Sequence, residues 1–198
     1  MSSENHKILY LTKGGDVSGA QRQLLYLLKG LDRKRFTPVV LCTGDGRFVK
    51  ELQDAGIRCF VRQLAGWRKV KHLFSRYKDA AYVCRLVKSE GVSLVHSSDI
   101  WLSEYMLRSA ESAGIPSVLH IRAPVDSRTF KKHRCARATA LVPISKRVEM
   151  RLYQTANASK NNIVLIHDAV DADLFKPRDC HSDGGVLRKQ YAAGDTVL

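Results

Sequence analysis

KILYLTKGGDVSGAQRQLLYLLKGL, residues 7–31, decides the fold. Residues 7–12 form an apolar run with no polar alternation, the pattern of a strand buried on both faces. KGGDVSG then breaks the chain with glycines. From Ala20 to Leu31 the apolar residues recur at helical spacing and stop around Gly30 and Asp32. Strand, glycine loop and helix in this order open a βαβ unit of a parallel sheet.

The same alternation runs on through the chain. Residues 37–43, 56–62, 93–98, 116–122, 139–145 and 162–167 read as further strands. Helical patterns separate them: a short one through Leu52, a long one over 69–89, then 101–112, 127–137 and one starting near Ser145. The expected fold is α/β: a Rossmann-like, doubly wound, mainly parallel sheet. The texture changes at Asp168, where DAVDADLFKPRDCHSDGG is polar and carries Pro and Gly. This divides the chain into a domain over 1–167, a linker over 168–185 and the start of a second domain over 186–198.

Composition limits the function classes. The 198 residues are 44% hydrophobic, enough for a core. No run of about 18 apolar residues is present to span a membrane. The opening MSSENHKILYLT lacks the basic start and cleavage site of a secretory signal, which predicts a cytoplasmic protein. The five cysteines (Cys42, Cys59, Cys84, Cys135, Cys180) are scattered without CxxC or zinc spacing, so no metal site is expected. They read as small core hydrophobes, with Cys135, beside His133 and Arg134, the candidate for reactivity.

The formal charge of +14 suits nucleic acid, an anionic membrane surface or an anionic substrate. No zinc-finger, RRM-like or homeodomain pattern accompanies it, which argues against nucleic acid. In residues 67–81, Trp67, Val70, Phe74, Tyr77 and Ala81 share a helical face, and basic residues populate the rest. That face fits an anionic membrane interface or packing on the sheet; a doubly wound fold needs helices of the second kind.

In open parallel sheets, ligands bind beyond the carboxyl ends of the strands. This makes Gly14, Gly15, Ser18 and Gly19 a loop suited to a phosphate or sugar. The spacing matches neither GxGxxG nor a P-loop, whose Lys-Ser/Thr pair is replaced by Ala20-Gln21. The fourth strand ends at His96, Ser97 and Ser98; the fifth ends at His120 and Arg122. Arg122 would meet either a bound anion or a carboxylate such as Asp126. Ser145 serves as a helix N-cap, a ligand contact, or both. A stand-alone nucleotide-binding module, with Asp45 as ribose ligand, is the competing reading, and the glycine spacing counts against it.

Five segments, SGAQRQLLYLLKGL (18–31), SLVHSSDIWLSEYM (93–106), GIPSVLHIRAP (114–124), ALVPISKRVEMRL (140–152) and LIHDAVDADLFKP (165–177), together resemble the N-terminal domain of family 4 GT-B glycosyltransferases. The resemblance implies a retaining sugar transfer from a UDP- or GDP-sugar to a glycan or lipid-linked acceptor, in cell-envelope polysaccharide or glycolipid synthesis. It implies no cofactor or metal, and a nucleotide held mainly by a C-terminal domain beyond this chain, so that these residues alone would be inactive. It assigns Gly14, Gly15, Ser18 and Gly19 to a loop near the donor diphosphate. His96, Ser97 and Ser145 become donor or acceptor contacts. Many members of that family carry a His-Asp pair at the end of the fifth strand. Here Arg122 takes that place, with His120 two residues earlier, so the resemblance implies that one or the other, Arg122 or His120, holds the catalytic role of the family's histidine. In the linker, Asp168-Ala169 replaces the usual Asn-Gly.

Overall fold

The computed structural model describes residues 5–67, 73–156 and 162–176. Six strands form its sheet: β1 (His6–Thr12), β2 (Phe36–Cys42), β3 (Arg58–Val61), β4 (Leu94–Ser97), β5 (Ser117–Ile121) and β6 (Ala140–Pro143). All pairings are parallel, in the order β3-β2-β1-β4-β5-β6. The order reverses between β1 and β4, the topological switch point at which such sheets bind ligands. The helices are α1 (Gly19–Gly30), α2 (Arg47–Asp54), α3 (Leu73–Ser89), α4 (Ser103–Ala113), α5 (Ser127–Lys132) and α6 (Lys146–Ala156).

Residues on a strand alternate faces, so β1 feeds two cores. Leu9 and Leu11 point to one side, where Val83, Val87, Tyr105 and Met106 of α3 and α4 pack against the sheet. Tyr10 points to the other, among Leu24, Leu25 and Leu28 of α1 and Phe48 and Leu52 of α2. Both faces are covered, which is why the strands read as continuous apolar runs. Pro38 is tolerated in β2 because pairing with β3 begins only at Val39.

Three local expectations change. The helix predicted over 127–137 ends at Lys132, and a 3-10 turn follows at Cys135–Arg137. Arg134 breaks it with φ 53°, a left-handed conformation that a helix interior does not accept. The strand predicted over 162–167 is reduced to one bridge, Leu141 to Ile163. Val164 and Ile166 still donate backbone hydrogen bonds to Leu141 and Pro143, so the segment runs along β6.

The third concerns residues 67–81. The buried side of α3 carries Ala80, Val83, Leu86 and Val87. Phe74, 82% exposed, Tyr77 and Ala81 are exposed, whereas Trp67, which precedes the helix, packs against the core through Tyr105; the predicted face does not act as one packing surface. Val70 of that face, and the part of the predicted linker and second domain from 177 onward, lie outside the described residues. Among the described residues, no helix is long and apolar enough to cross a membrane.

Candidate functional site

The carboxyl edge of the sheet carries the polar groups that the strand endings predict, in two adjoining clefts. The smaller, about 240 Å³, lies at the switch point. Ala20 of α1, Ser98 and Asp99 after β4, and His120 and Arg122 at the end of β5 line it. The larger, about 480 Å³, opens between the β1 loop, the segment after β3 and α5. Its walls include Lys13, Trp67, Trp101, Lys132 and His133. The segment 98–102 borders both: Ser98, Asp99 and Ile100 line the small cleft, and Trp101 and Leu102 line the large one. Burial raises the Asp99 carboxyl above its usual range, opposed by the Trp101 N–H and the charge of Lys13.

The glycine loop is shaped mainly by its neighbour. Gly14 has φ 78°, which favours glycine, and its N–H donates to Thr43 Oγ1 at 2.8 Å. A Cβ on Gly15 would lie 2.2 Å from the carbonyl carbon of Asp45. Gly15 is therefore glycine because the loop after β1 presses on the loop after β2. Its carbonyl accepts from the Phe48 N–H at 2.7 Å. Gly19 opens α1 in free space, with nothing near where a Cβ would stand. Ser18 occupies the N-cap but makes no side-chain cap bond; its hydroxyl contacts Gln21 Oε1. The first turn of α1 thus lacks a side-chain acceptor from its own cap.

His96 and His120 stack, with centroids 5.5 Å apart and planes at 22°, and Tyr10 lies 5.0 Å from His96 on the same side of the sheet. Burial lowers His96 to about 3, helped by the charges of His120 and Arg122. It lowers His120 to about 4, with Arg122 adding to the effect and Asp168 opposing it. Both rings are neutral near pH 7. His120 reaches the small cleft with neither ring nitrogen hydrogen-bonded within the protein.

Arg122 contacts a carboxylate, but not the one expected. Asp126 instead caps α5, accepting from Thr129 N and Oγ1, and these bonds hold its carboxyl below the usual range. Arg122 Nη1 donates to Asp168 Oδ1 at 3.0 Å and Oδ2 at 3.2 Å. One residue on, Ala169 is held by Gln23 of α1: the Gln23 amide donates to its carbonyl at 2.6 Å and accepts from its N–H at 3.0 Å. Nothing in the sequence marks Gln23 for this role. Asp168 carried a signal, an acid where the resembled family has asparagine, but charge alone does not say which arginine it meets.

The remaining expected site residues are committed elsewhere. Ser97 is fully buried, and its hydroxyl donates to the Asp99 carbonyl at 2.8 Å. Ser145 Oγ accepts from Val148 N at 3.3 Å, the N-cap role, and does not line either cleft. Cys135 is buried with its thiol pushed up to about 12, mainly by burial, which is the chemistry of an inert core thiol. Trp101 belongs to the site although its sequence position reads only as the beginning of a helix. A tryptophan directly after the polar end of β4 was the available signal.

The family described as "Glycosyl transferase 4-like domain" matches residues 18–169. Comparison with curated proteins returns no match. Among solved structures, HepE of Anabaena in complex with UDP and glucose superposes with a TM-score of 0.73 at 19% identity, covering 94% of this chain and 50% of that one. A glycosyltransferase from Rickettsia africae gives 0.69 at 20% identity, covering 98% and 51%. MnaA of S. aureus, solved with UDP, gives 0.62 at 14% identity, covering 94% and 51%. The chain thus spans about half the length of these structures.

Proposed function

The chain belongs to the glycosyl transferase 4-like domain family, and from that premise we propose that it is the acceptor-side, N-terminal half of a retaining GT-B glycosyltransferase. The complete enzyme would move a sugar from a UDP- or GDP-sugar to a glycan or lipid-linked acceptor in envelope polysaccharide or glycolipid synthesis. It would need no resident cofactor. The nucleotide would sit chiefly on a second domain facing the carboxyl edge of this sheet. HepE, solved with UDP and with UDP-glucose, has the same half-fold and supports a nucleotide-sugar donor.

One observation carries the proposal: the small cleft lies at the switch point, and the segment leaving the domain is fastened at its rim by Arg122 and Gln23. A second domain attached there would close over His120 and the start of α1. Val170, Leu174 and Phe175 on that segment are exposed apolar residues for such a domain to cover. In this reading His120, neutral and with its buried ring nitrogens unpaired within the protein, borders the transferred sugar. Arg122 adds positive charge toward the diphosphate while holding the hinge. The open first turn of α1 offers N–H groups to the same anion.

We place the enzyme in the cytoplasm, peripheral at the inner membrane face, where the exposed Phe74 and Tyr77 of α3 would meet anionic lipid. A UDP-N-acetylglucosamine 2-epimerase shares the fold, with a TM-score of 0.61 at 16% identity, so the decisive assay separates transfer from epimerisation. The chain alone, and a longer protein in which a C-terminal nucleotide-sugar-binding domain is joined to it, are each supplied with UDP-glucose or GDP-mannose and a saccharide acceptor. Transfer to acceptor is expected only from the longer protein. Transfer by these 198 residues alone, or donor epimerisation without transfer, overturns the reading.

A further inference from the structure

The larger cleft is built for more than an unspecified acceptor. Its wall after β3 is fixed from two sides. The Ala65 N–H donates to Asp79 Oδ2 at 3.0 Å, and the Ala65 carbonyl accepts from Tyr105 Oη at 2.6 Å. Trp67, two residues on, stands edge-on to Tyr105 at 5.2 Å and 87°. The Arg108 guanidinium lies 4.6 Å from the centre of the Trp67 ring. On the opposite element, Trp101 is half-exposed and perpendicular to His133, with centroids 4.8 Å apart. Two indoles are thus held in defined orientations around a cleft within the about 300–1,000 Å³ span of small-molecule sites.

The charges lining this cleft have one sign. Lys13 and Lys132 border it, and no Asp or Glu among the described residues does. Among the described residues no carboxylate forms an ion pair with either lysine. The nearby acids are engaged: Asp79 with Arg62 at 2.8 Å, and Asp99 with the Trp101 N–H at 2.7 Å. An indole face is negative and attracts the polarised C–H groups of a sugar ring. Lysines are mobile point charges that suit a carboxylate or a phosphate without demanding a forked geometry.

From the two indoles and two lysines that line it, the lysines in no ion pair among the described residues, we infer that this cleft binds an anionic saccharide, a sugar bearing a carboxylate or a phosphate, as the acceptor end of the reaction. The inference rests on the transferase reading for the word acceptor; the binding itself does not. The segment 98–102 borders both this cleft and the switch-point cleft, so a saccharide seated here would present a hydroxyl toward the donor side. Neutral sugars would stack on the same rings and lack the charge contacts.

The chain contains two tryptophans, Trp67 and Trp101, and both line this cleft, so intrinsic fluorescence reports on it directly. The full chain is titrated with methyl glucuronide, glucose 1-phosphate, methyl glucoside and inorganic phosphate. The acidic sugars are expected to change the emission with affinity about tenfold or more above the neutral sugar, a margin that shrinks with added salt. Lys13→Gln with Lys132→Gln should abolish the margin while leaving weak neutral binding. Trp101→Ala, checked for folding by far-UV circular dichroism, should weaken all the sugars.

The arms separate the sources of charge: glucuronide alone marks a carboxylate site, and the phosphate ester alone a phosphate site. Equal affinity for neutral and acidic sugars, no binding, equal binding of inorganic phosphate, or a margin that survives both lysine changes overturns the inference. Selective binding in a protein whose longer form transfers no sugar would refute the transferase reading and leave the site standing. Transfer to neutral acceptors, with no acidic preference here, would do the reverse.

Discussion

Arg122 and Asp168, 46 positions apart, meet at 3.0 Å where the chain leaves its last sheet contact. The two places at which the sequence departs from the family pattern it resembles are therefore in contact with each other. The pair is partly shielded from water, with side-chain exposures of 17% and 33%. Arg122→Ala is expected to cost about 1–2 kcal/mol, part of it from leaving the Asp168 charge unmatched. A double-mutant cycle with Asp168→Ala in urea should show coupling between the two. Coupling indistinguishable from zero would mean that the contact does not hold the hinge.

Gln23 supplies the second fastening, and it does so with an amide that mimics a backbone pairing. Gln23→Ala removes both bonds while leaving α1 its packing residues. Amide exchange of Ala169 is expected to rise by about tenfold, in line with loss of roughly 1 kcal/mol of local protection. Exchange in β1 and β4 should stay unchanged, since those amides open only with the whole domain.

Gly15 and Gly19 separate packing from ligand approach within one loop. Gly15→Ala places a Cβ 2.2 Å from Asp45 backbone, which neither loop can relieve without moving. A loss of about 2–4 kcal/mol is expected, at or above the usual range for overpacking. Gly19→Ala meets nothing and should be neutral or stabilising by up to about 1 kcal/mol through helix propensity. If that variant also weakens donor turnover in the longer protein, the open N-terminus of α1 acts on the ligand and not on the fold.

These contrasts show where the sequence was legible. Parallel strands buried on both faces leave no alternation, and residues 7–12 and 37–43 betrayed the sheet for that reason. The place of His120 and Arg122 on a cleft at the carboxyl edge followed from the rule that parallel sheets leave their crevices there. The glycines of the loop were visible, but the cause of Gly15 was not: it lies in Asp45, 30 positions away, and no local pattern encodes a loop-to-loop contact. The same holds for Gln23 with Ala169. Residues 67–81 misled because apolar spacing fixes a helix face without saying which neighbour covers it. α3 is covered through Ala80, Val83 and Val87 instead.

Acid should unfold the domain through its stacked histidines. His96 and His120 have folded pKa values of about 3 and about 4, below the ordinary 6.5 of an unfolded chain. Between those values the unfolded chain binds more protons, so stability is intact above pH 6.5 and falls as pH drops toward 4. The slope should approach roughly 1 kcal/mol per pH unit for each ring. His96→Phe is expected to flatten the urea midpoint between pH 6.5 and 4.5, and an unchanged slope would assign the acid sensitivity to other groups.

The exposed aromatic side of α3 allows a test of where the protein works. Phe74 is 82% exposed and Tyr77 about half exposed, on a chain carrying a formal charge of +14. Burying two aromatic rings in a bilayer surface contributes a few kcal/mol, and each basic residue near anionic lipid adds about 1 kcal/mol. The chain should therefore sediment with vesicles containing phosphatidylglycerol and not with neutral phosphatidylcholine vesicles. Phe74→Ser with Tyr77→Ser should reduce binding about tenfold or more at constant charge. Raising the salt should weaken the wild type without abolishing it, because the aromatic contribution is unscreened. If the double variant sediments like the wild type, charge alone drives adsorption, and α3 is not the membrane-facing element.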